Sequence, residues 1–196
     1  MQPFSTPERA DKIALALRRR QPTLTVVLEN IHDPHNVSAI LRSCDAVGVL
    51  KVHFVYTIEE FPSVAHTPAA GAHKWIEFER HTSIAACFDA LQREGFQVLA
   101  TRIDPGAASL YEHDLTKPTA LVLGNEHRGI SEDVTRLADR LIYIPMMGMA
   151  ESLNVSVATA VCLFEAFRQR RERGMYDEPQ LSPEALRSKE LEWQLK

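Results

Sequence analysis

The chain has 196 residues, the size of one ordinary domain with room for a short appendage. Hydrophobic residues make up 45% and charged residues 24%, the balance of a soluble globular protein, and no apolar run approaches the roughly 20 residues that a membrane span needs. The N-terminus lacks the layout of a signal peptide, so we expect a cytoplasmic protein with no membrane partner.

Apolar periodicity predicts an alternation of helices and strands. Helices are predicted over 1–20, 36–47, 82–94, 131–138, 155–171 and from Ser182 to Leu195. Strands are predicted at 24–28, 51–56, 96–101, 119–123 and 140–144, with an irregular stretch over 57–75. Continuous apolar strands that alternate with helices indicate an α/β domain with a mostly parallel sheet covered on both faces.

The helix predicted over 155–171 is apolar on nearly every side. Between Val155 and Phe167 only Ser156, Thr159 and Glu165 are polar. A helix of this kind is buried on most of its surface, and it is too short to span a membrane. We therefore expect a homodimer interface to cover part of it.

The cysteines and the charges limit the class of protein further. Cys44, Cys87 and Cys162 lie far apart, which argues against a disulfide framework or a zinc site and fits a reducing compartment. The net charge of −4 is not that of a non-specific nucleic-acid binder, and we expect no DNA partner.

Basic residues nevertheless gather near both ends of the chain. Residues 1–20 hold five basic and two acidic side chains, a net charge of +3. Residues 165–174 hold Arg168, Arg170, Arg171 and Arg173 against two glutamates, a net charge of +2. These groups could bind phosphates, or they could simply be solvated side chains at helix ends.

Polar loops follow the predicted strands. In parallel sheets, ligands bind beyond the carboxyl ends of the strands, so these loops should converge on one site. The dinucleotide and phosphate-loop glycine patterns, the G-x-S-x-G elbow and the H-E-x-x-H zinc pattern are all absent, which disfavours nicotinamide enzymes, ATPases and a metal site. The loops that we expect to form the site run through Glu29–Asn36, Thr101–Asp104, Gly124–Ser131 and Pro145–Asn154.

The helix after the first of these loops has an apolar stripe and an opposite polar face. The stripe consists of Val37, Ile40, Leu41, Cys44 and Val47. Spacing places Ser38, Arg42 and Asp45 on the other face. Arg42 and Asp45 could form a surface ion pair, and Asn36 could be the N-cap of the helix. Spacing alone assigns neither Asn36 nor Arg42 a role in chemistry.

Three segments together resemble the ordered motifs of the SPOUT methyltransferases, SpoU/TrmH branch. They are N-V-S-A-I-L-R-S-C-D-A-V-G, L-G-N-E-H-R-G-I-S and I-P-M-M-G-M-A-E-S-L-N-V-S-V-A, which start at Asn36, Leu123 and Ile144. They occur in the order and spacing of that family, within a match from about Leu24 to Arg171. A single motif of this kind would be a weak signal, and three in order are a strong one.

The resemblance implies a fold, a cofactor and a set of site residues. The fold is a Rossmann-like parallel sheet whose C-terminal part is threaded as a trefoil knot, in a homodimer. S-adenosylmethionine is expected near Thr101, Gly124, Ile144, Met149 and Leu153. The residues expected to carry the chemistry are Arg42, Asn36, Glu126, Ser152 and Asn154.

The basic segments near both ends of the chain, outside the motifs, indicate the substrate. The chain is most similar to members of the branch that methylate the ribose 2′-hydroxyl of guanosine 18 in the tRNA D-loop, with a wobble-position tRNA or ribosomal RNA ribose as the alternative. That resemblance divides the chain into a basic N-terminal helical extension (1–22), the methyltransferase domain (23–174) and a C-terminal helical extension (175–196). The RNA is expected to contact Arg18, Arg19, Arg20, Arg168 and Arg171.

Three questions stay open. His127-Arg128 and Ala150-Glu151 depart from the residues common in this group, which puts the choice of tRNA in doubt. A catalytically silent RNA-binding protein on the same fold is a further alternative. The family proposal makes Arg42 the base that takes the ribose proton, yet arginine is always protonated in proteins, so a cationic role beside the phosphate and the forming alkoxide is favoured here.

Overall fold

The computed structural model describes residues 6–62 and 71–196. The helices are α1 (Pro7–Arg18), α2 (Pro34–Ala46), α3 (Ile84–Arg93), α4 (Glu132–Leu137), α5 (Val155–Glu172) and α6 (Pro183–Gln194). The strands are β1 (Leu24–Glu29), β2 (Lys51–Val55), β3 (Glu77–His81), β4 (Gln97–Thr101), β5 (Ala108–Ser109), β6 (Thr119–Leu123) and β7 (Arg140–Tyr143). Short 3₁₀ helices span Ala72–Lys74 and Leu110–Glu112.

The strands form one parallel sheet in the order β3-β2-β1-β6-β4-β7-β5. Strands β1 and β6 pair at its centre, with Val26 opposite Leu121 and Leu28 opposite Leu123. All residues of both strands are buried, as expected for strands covered on two faces. The predicted parallel α/β architecture is therefore confirmed.

Each face of the sheet is covered by its own pair of helices. Helices α2 and α5 bury Ile40, Leu41 and Leu163 against one face. Helices α3 and α4 bury Phe88 and Val134 against the other. The apolar stripe predicted for α2 is fully buried, which fixes the orientation of that helix above the sheet.

The two end helices pack against each other. Trp193 of α6 is 4% exposed and lies against Ile13 and Leu17 of α1, with the ring of Trp75 5.0 Å away. The predicted terminal helices thus supply the packing partner that Trp193 needs, while Leu191 stays 67% exposed.

Two strands were missed in the sequence. Strand β3 reads E-F-E-R-H and has no apolar run, because as an edge strand it pairs only with β2 and leaves alternate residues exposed. Strand β5 has only two residues and pairs with β7. The irregular stretch predicted over 57–75 falls partly on 63–70, outside the described residues, as do positions 1–5 of the first predicted helix.

Arg170 is a correction to the C-terminal basic group. Its side chain is fully buried, and it donates to the backbone oxygens of Leu115, Thr23 and Lys117 at 2.8–2.9 Å. Burial lowers the pKa of its guanidinium to about 10, so it stays charged at neutral pH. Arg170 therefore ties α5 to the segments that enter β1 and β6, and it is not available to a phosphate.

No helix among the described residues is both long enough and apolar enough to cross a membrane.

Candidate functional site

The site lies at the carboxyl edge of the sheet, where Asn30 shapes the first loop. Asn30 follows β1 with a positive φ of 49°, a conformation that asparagine tolerates better than most residues. Its Oδ1 accepts hydrogen bonds from the backbone N–H groups of Thr57, Ile58 and Glu59 at 2.9–3.2 Å. Asn30 therefore joins the loop after β1 to the loop after β2.

Asn125 has the same function at the end of β6. Its Oδ1 accepts from the N–H groups of His127 and Arg128, and its Nδ2 donates to the buried oxygen of Asn30 at 2.8 Å. The turn closes so tightly that a Cβ on Gly124 would lie 2.3 Å from the backbone of Gly129. A side chain at position 124 is thus excluded.

Sequence reasoning missed both asparagines. The available signal was their position, since each follows directly on a buried strand and precedes a turn. Asparagine is favoured in such places because its side chain bonds to nearby backbone groups. The same signal fits many ordinary turns, so position alone does not select these two.

Glu126 links the loop after β6 to the start of α2. Its carboxylate accepts from the N–H of His32 at 2.8 Å, the N–H of Asp33 at 3.1 Å and Nδ2 of Asn36 at 2.8 Å. Partial burial raises the pKa of Glu126, but these hydrogen bonds together outweigh burial and hold it below its ordinary value. The group is therefore an anion that organises its neighbours.

Asn36 and Asn154 extend this network to the third loop. Nδ2 of Asn154 donates to Oδ1 of Asn36 at 3.1 Å. Oδ1 of Asn154 also caps α5, accepting from the N–H of Ser156 at 2.8 Å. Asn36 itself lies inside α2, whose N-cap is Asp33, so Asn36 is not the helix cap. Its amide is held by Glu126 and Asn154, which leaves one N–H and one oxygen lone pair for a ligand.

The larger of two cavities at this edge has a volume of about 640 Å³. Small-molecule sites commonly fall between about 300 and 1,000 Å³ and have mostly apolar walls. Four of the five predicted cofactor residues line it: Thr101, Gly124, Ile144 and Leu153. Met149 does not, and its side chain is 99% exposed in the loop before α5. Ser152 lines the same cavity.

A second cavity of about 510 Å³ adjoins the first, and we call it the polar cavity because all of its lining residues except Pro34 carry polar side chains. Glu126 and Asn154 line both cavities, while Asn36 lines only the second. The remaining walls of the second cavity are His32, Asp33, Pro34 and His127. Two cavities thus meet at two predicted site residues, an arrangement suited to a cofactor beside a substrate.

Arg42 stands apart from both cavities. Its side chain is exposed on α2 and lines neither of them. It does not pair with Asp45, which instead binds Arg20 at 2.5 Å. Ser38, predicted on the same polar face, is 5% exposed and buried. In a single chain, therefore, Asn36, Glu126, Ser152 and Asn154 come together and Arg42 does not join them.

The predicted RNA-binding arginines divide into two groups. Arg18, Arg19 and Arg171 are exposed, and Arg168 is half exposed although it is paired with Glu165 and Glu172. Arg20, in contrast, is buried, which corrects its predicted place among the RNA contacts.

Arg20 is 3% exposed, and its guanidinium binds Asp45 and the oxygen of Val49 beside the ring of Trp193. It holds α1 and α6 to the core, so it has no free face for RNA.

His127 and Arg128, which depart from the usual motif residues, lie at the rim. Arg128 pairs with Glu59, which also accepts from His32 at 3.0 Å. The hydrogen bond to Glu59 raises the pKa of His32. These contacts link the rim of the polar cavity to the loop after β2.

Comparison with known proteins shows the family of the chain. Residues 23–164 match the model of the SpoU rRNA Methylase family. The chain belongs to the SpoU methylase family. A relative from Thermus thermophilus, named tRNA (guanosine(18)-2'-O)-methyltransferase, is 50% identical over 188 residues, which cover 96% of each chain.

Solved structures agree with the family assignment. The Aquifex aeolicus structure described as a TrmH/SpoU tRNA modifying enzyme superimposes with a TM-score of 0.90 at 40% identity and covers 95% of each chain. The SpoU methyltransferase AviRb from Streptomyces viridochromogenes, solved in complex with the cofactor AdoMet, gives a TM-score of 0.69 at 26% identity, covering 79% of this chain and 62% of that one.

Glu126→Gln should destabilise the folded chain at neutral pH. The amide offers one acceptor oxygen where the carboxylate serves three donors, so we expect a loss of about 1–2 kcal/mol in the free energy of unfolding. Because its pKa is lowered in the folded state, the carboxylate stabilises the fold at pH values above its unfolded pKa of about 4.3. This contribution is lost as the pH falls through the folded pKa.

Urea unfolding at pH 7 and at pH 3 measures this difference. The gap between wild type and Glu126→Gln should shrink at pH 3. Glu184→Gln is the matched control, because Glu184 is exposed and forms only a surface pair with Arg187. An equal gap at both pH values would show that the carboxylate charge does not hold the loops.

Proposed function

We propose that the protein transfers the methyl group of S-adenosylmethionine to the ribose 2′-hydroxyl of guanosine 18 in the tRNA D-loop. The observation that carries the proposal is the meeting of the two cavities at Glu126 and Asn154 in a chain of the SpoU methylase family. The match to the Thermus thermophilus relative over nearly the whole chain favours the tRNA substrate over ribosomal RNA.

The larger cavity suits S-adenosylmethionine. Its walls include the apolar residues Ile144 and Leu153, together with Thr101 at the end of β4 and Gly124 directly after β6. When bound there, the cofactor supplies an electrophilic methyl group. Met149 is too far out on its loop to belong to this set unless another chain covers it.

The polar cavity would hold the ribose. Methyl transfer is an in-line displacement, so the acceptor oxygen must be held close to the methyl carbon in one orientation. Asn36 offers amide groups to the sugar, with Glu126 and Asn154 fixing that amide in place. Ser152, on the wall of the neighbouring cavity, would help to shape the junction.

Arg42 would act as a cation rather than as a base. Its exposed side chain can reach an RNA phosphate and stabilise the charge that forms on the ribose oxygen. Because Arg42 lies outside both cavities of one chain, its action requires bound RNA or a second protomer to complete the site.

A homodimer is part of the proposal. On α5, Val157 is 48% and Phe164 is 50% exposed, although one side of the helix packs on the core through Cys162, Leu163 and Ala166. Together with Leu153 at 36%, they leave apolar surface beside the cavities. A partner that covers this surface would also lie close to the loop of Met149.

We further propose that the C-terminal part is threaded as a trefoil knot. The order in which the strands are laid down supports this: β5 lies at one edge, β6 returns to the centre beside β1, and β7 then enters between β4 and β5. A knot would require the chain to pass back through segments already in place, which ordinary sheets avoid.

The ends of the chain would serve as RNA-binding extensions. We assign 1–22 and 175–196 to these extensions and 23–174 to the methyltransferase domain. Because Arg20 is buried, the proposed phosphate contacts are Arg18, Arg19, Arg168 and Arg171. The cytoplasm is the proposed compartment, which fits three buried free cysteines.

Methyl transfer to tRNA transcripts tests the function directly. With tritiated S-adenosylmethionine and unmodified tRNA, we expect label at one ribose, that of guanosine 18. A transcript with 2′-deoxyguanosine at that position is the matched control and should accept none. Label at the wobble position, or only in ribosomal RNA, would replace the proposed substrate, and no label in any RNA would favour the silent RNA-binding alternative.

Arg42→Lys and Arg42→Ala should both lower the single-turnover rate by about 100-fold or more. Alanine removes the charge, and lysine keeps the charge but loses the planar fork. The dissociation constant for S-adenosylmethionine should stay unchanged, since Arg42 lines neither cavity. Near wild-type activity in Arg42→Lys would contradict a role specific to the guanidinium.

A further inference from the structure

A second cluster of reactive side chains lies between β2, the edge strand β3 and helix α3. His53 Nδ1 and His81 Nε2 share a hydrogen bond at 2.9 Å, and one nitrogen of each ring lies within 4.8 Å of the Cys87 sulfur. His53 is 3% exposed and Cys87 is fully buried. None of the three lines either cavity of the candidate active site.

Three separate elements bring this cluster together. His53 lies on β2 and His81 on the edge strand β3, with side chains on the face that α3 covers. Cys87 projects from α3 onto the same face. The three residues are too scattered along the chain for a spacing pattern, so sequence reasoning predicted no metal site.

We propose that His53, His81 and Cys87 bind one Zn²⁺ ion, with the Glu79 carboxylate as the fourth ligand. Two imidazoles and one thiolate are a donor set that zinc prefers, and a carboxylate or water commonly completes its tetrahedron. The proposal concerns a structural site and is independent of the methyl-transfer function.

The spacing of the donors fits a zinc ion with little movement. Bond lengths of about 2.0–2.3 Å place the ligands of a tetrahedral zinc about 3.3–3.6 Å from one another. The imidazole nitrogens, now 2.9 Å apart, would move apart by a few tenths of an ångström and give up their hydrogen bond, and the sulfur already lies within 4.8 Å. Small rotamer adjustments would close the difference.

Glu79 would complete the site after its side chain turns from Lys51, because its carboxylate does not yet lie within 4.8 Å of all three other donors. Its Oε1 is 3.7 Å from His81 Nε2, while Oε2 accepts from Lys51 at 2.8 Å. Glu79 is 39% exposed and so provides a route from solvent to the buried donors. Since Glu79 lies opposite His53 in the β2–β3 register, all four donors share one patch of the sheet.

The protonation states favour binding by the histidines. Burial lowers the pKa of His53 to about 4 and also lowers that of His81, so both imidazoles are neutral at pH 7, the form that binds a metal. Burial raises the pKa of Cys87 to about 12. Zinc binding breaks the S–H bond, the sulfur becomes a thiolate ligand, and the proton goes to solvent.

The ion would fasten an otherwise weakly held edge. Strand β3 pairs only with β2 and carries mostly polar residues. A zinc ion would link β3, β2 and α3 through bonds that do not depend on a hydrophobic core. We expect saturating zinc to raise Tm by about 5–10 °C.

Cobalt replaces zinc in the test because it absorbs visible light. Full-length protein, stripped with a chelator and reduced, is titrated with Co²⁺. We expect one equivalent to give the intense visible bands of a tetrahedral ion and a thiolate-to-cobalt band in the near ultraviolet. One equivalent of Zn²⁺ should then abolish both.

Three variants locate the site. Cys87→Ala should lose the near-ultraviolet band, and His81→Gln should weaken Co²⁺ binding at least tenfold, with far-ultraviolet circular dichroism showing that each is folded. Cys44→Ala is the matched control, because Cys44 is equally buried beneath α2 on the other face, and it should keep both bands.

Failure of wild-type protein to bind Co²⁺ or Zn²⁺ at micromolar concentration would overturn the proposal. So would a thiolate band that persists in Cys87→Ala. Loss of methyl transfer alone would not bear on it, because metal binding is read from absorbance and from Tm.

Discussion

The Glu126 carboxylate is the contact on which the geometry of the candidate active site depends. It follows β6, yet the groups that it binds begin α2, which follows β1. Because β1 and β6 are paired at the centre of the sheet, a single side chain can span the two loops. An anion that accepts three hydrogen bonds in a half-buried position holds both loops in one arrangement. The two cavities take their shared wall from that arrangement.

Rigid elements on either side support this carboxylate. Asn30 and Asn125 fix the turns that leave β1 and β6 by bonding to backbone N–H groups, and they bind each other. The α5 helix is anchored at its start by Asn154, which contacts Asn36. Near its end it is anchored by Arg170, which binds the backbone of Thr23 just before β1. Polar contacts thus set the site while apolar packing sets the layers. Precise placement of the reacting groups requires both.

The sequence was sufficient for the parallel sheet, because β1 and β6 are continuous apolar runs and the stripe on α2 has a clear helical period. It failed at β3, whose edge position removes the apolar signal. It placed Arg20 on the surface, because the ion pair with Asp45 joins residues distant in the chain. The carboxyl-edge rule placed the loops of Asn36 and Glu126 at one site, but their direct contact could not be predicted for the same reason. Contacts between loops depend on how strands are ordered, and local periodicity carries no record of that order.

The separation of a cofactor cavity from a substrate cavity is the central claim, and Asn36→Ala tests it most directly. Asn36 lines only the polar cavity and touches Glu126 and Asn154 at the junction. The measurement is a titration with S-adenosylmethionine paired with the single-turnover rate of methyl transfer to tRNA. The account predicts a dissociation constant within about threefold of wild type and a rate at least about tenfold lower. A loss of cofactor affinity as large as the loss of rate would contradict it.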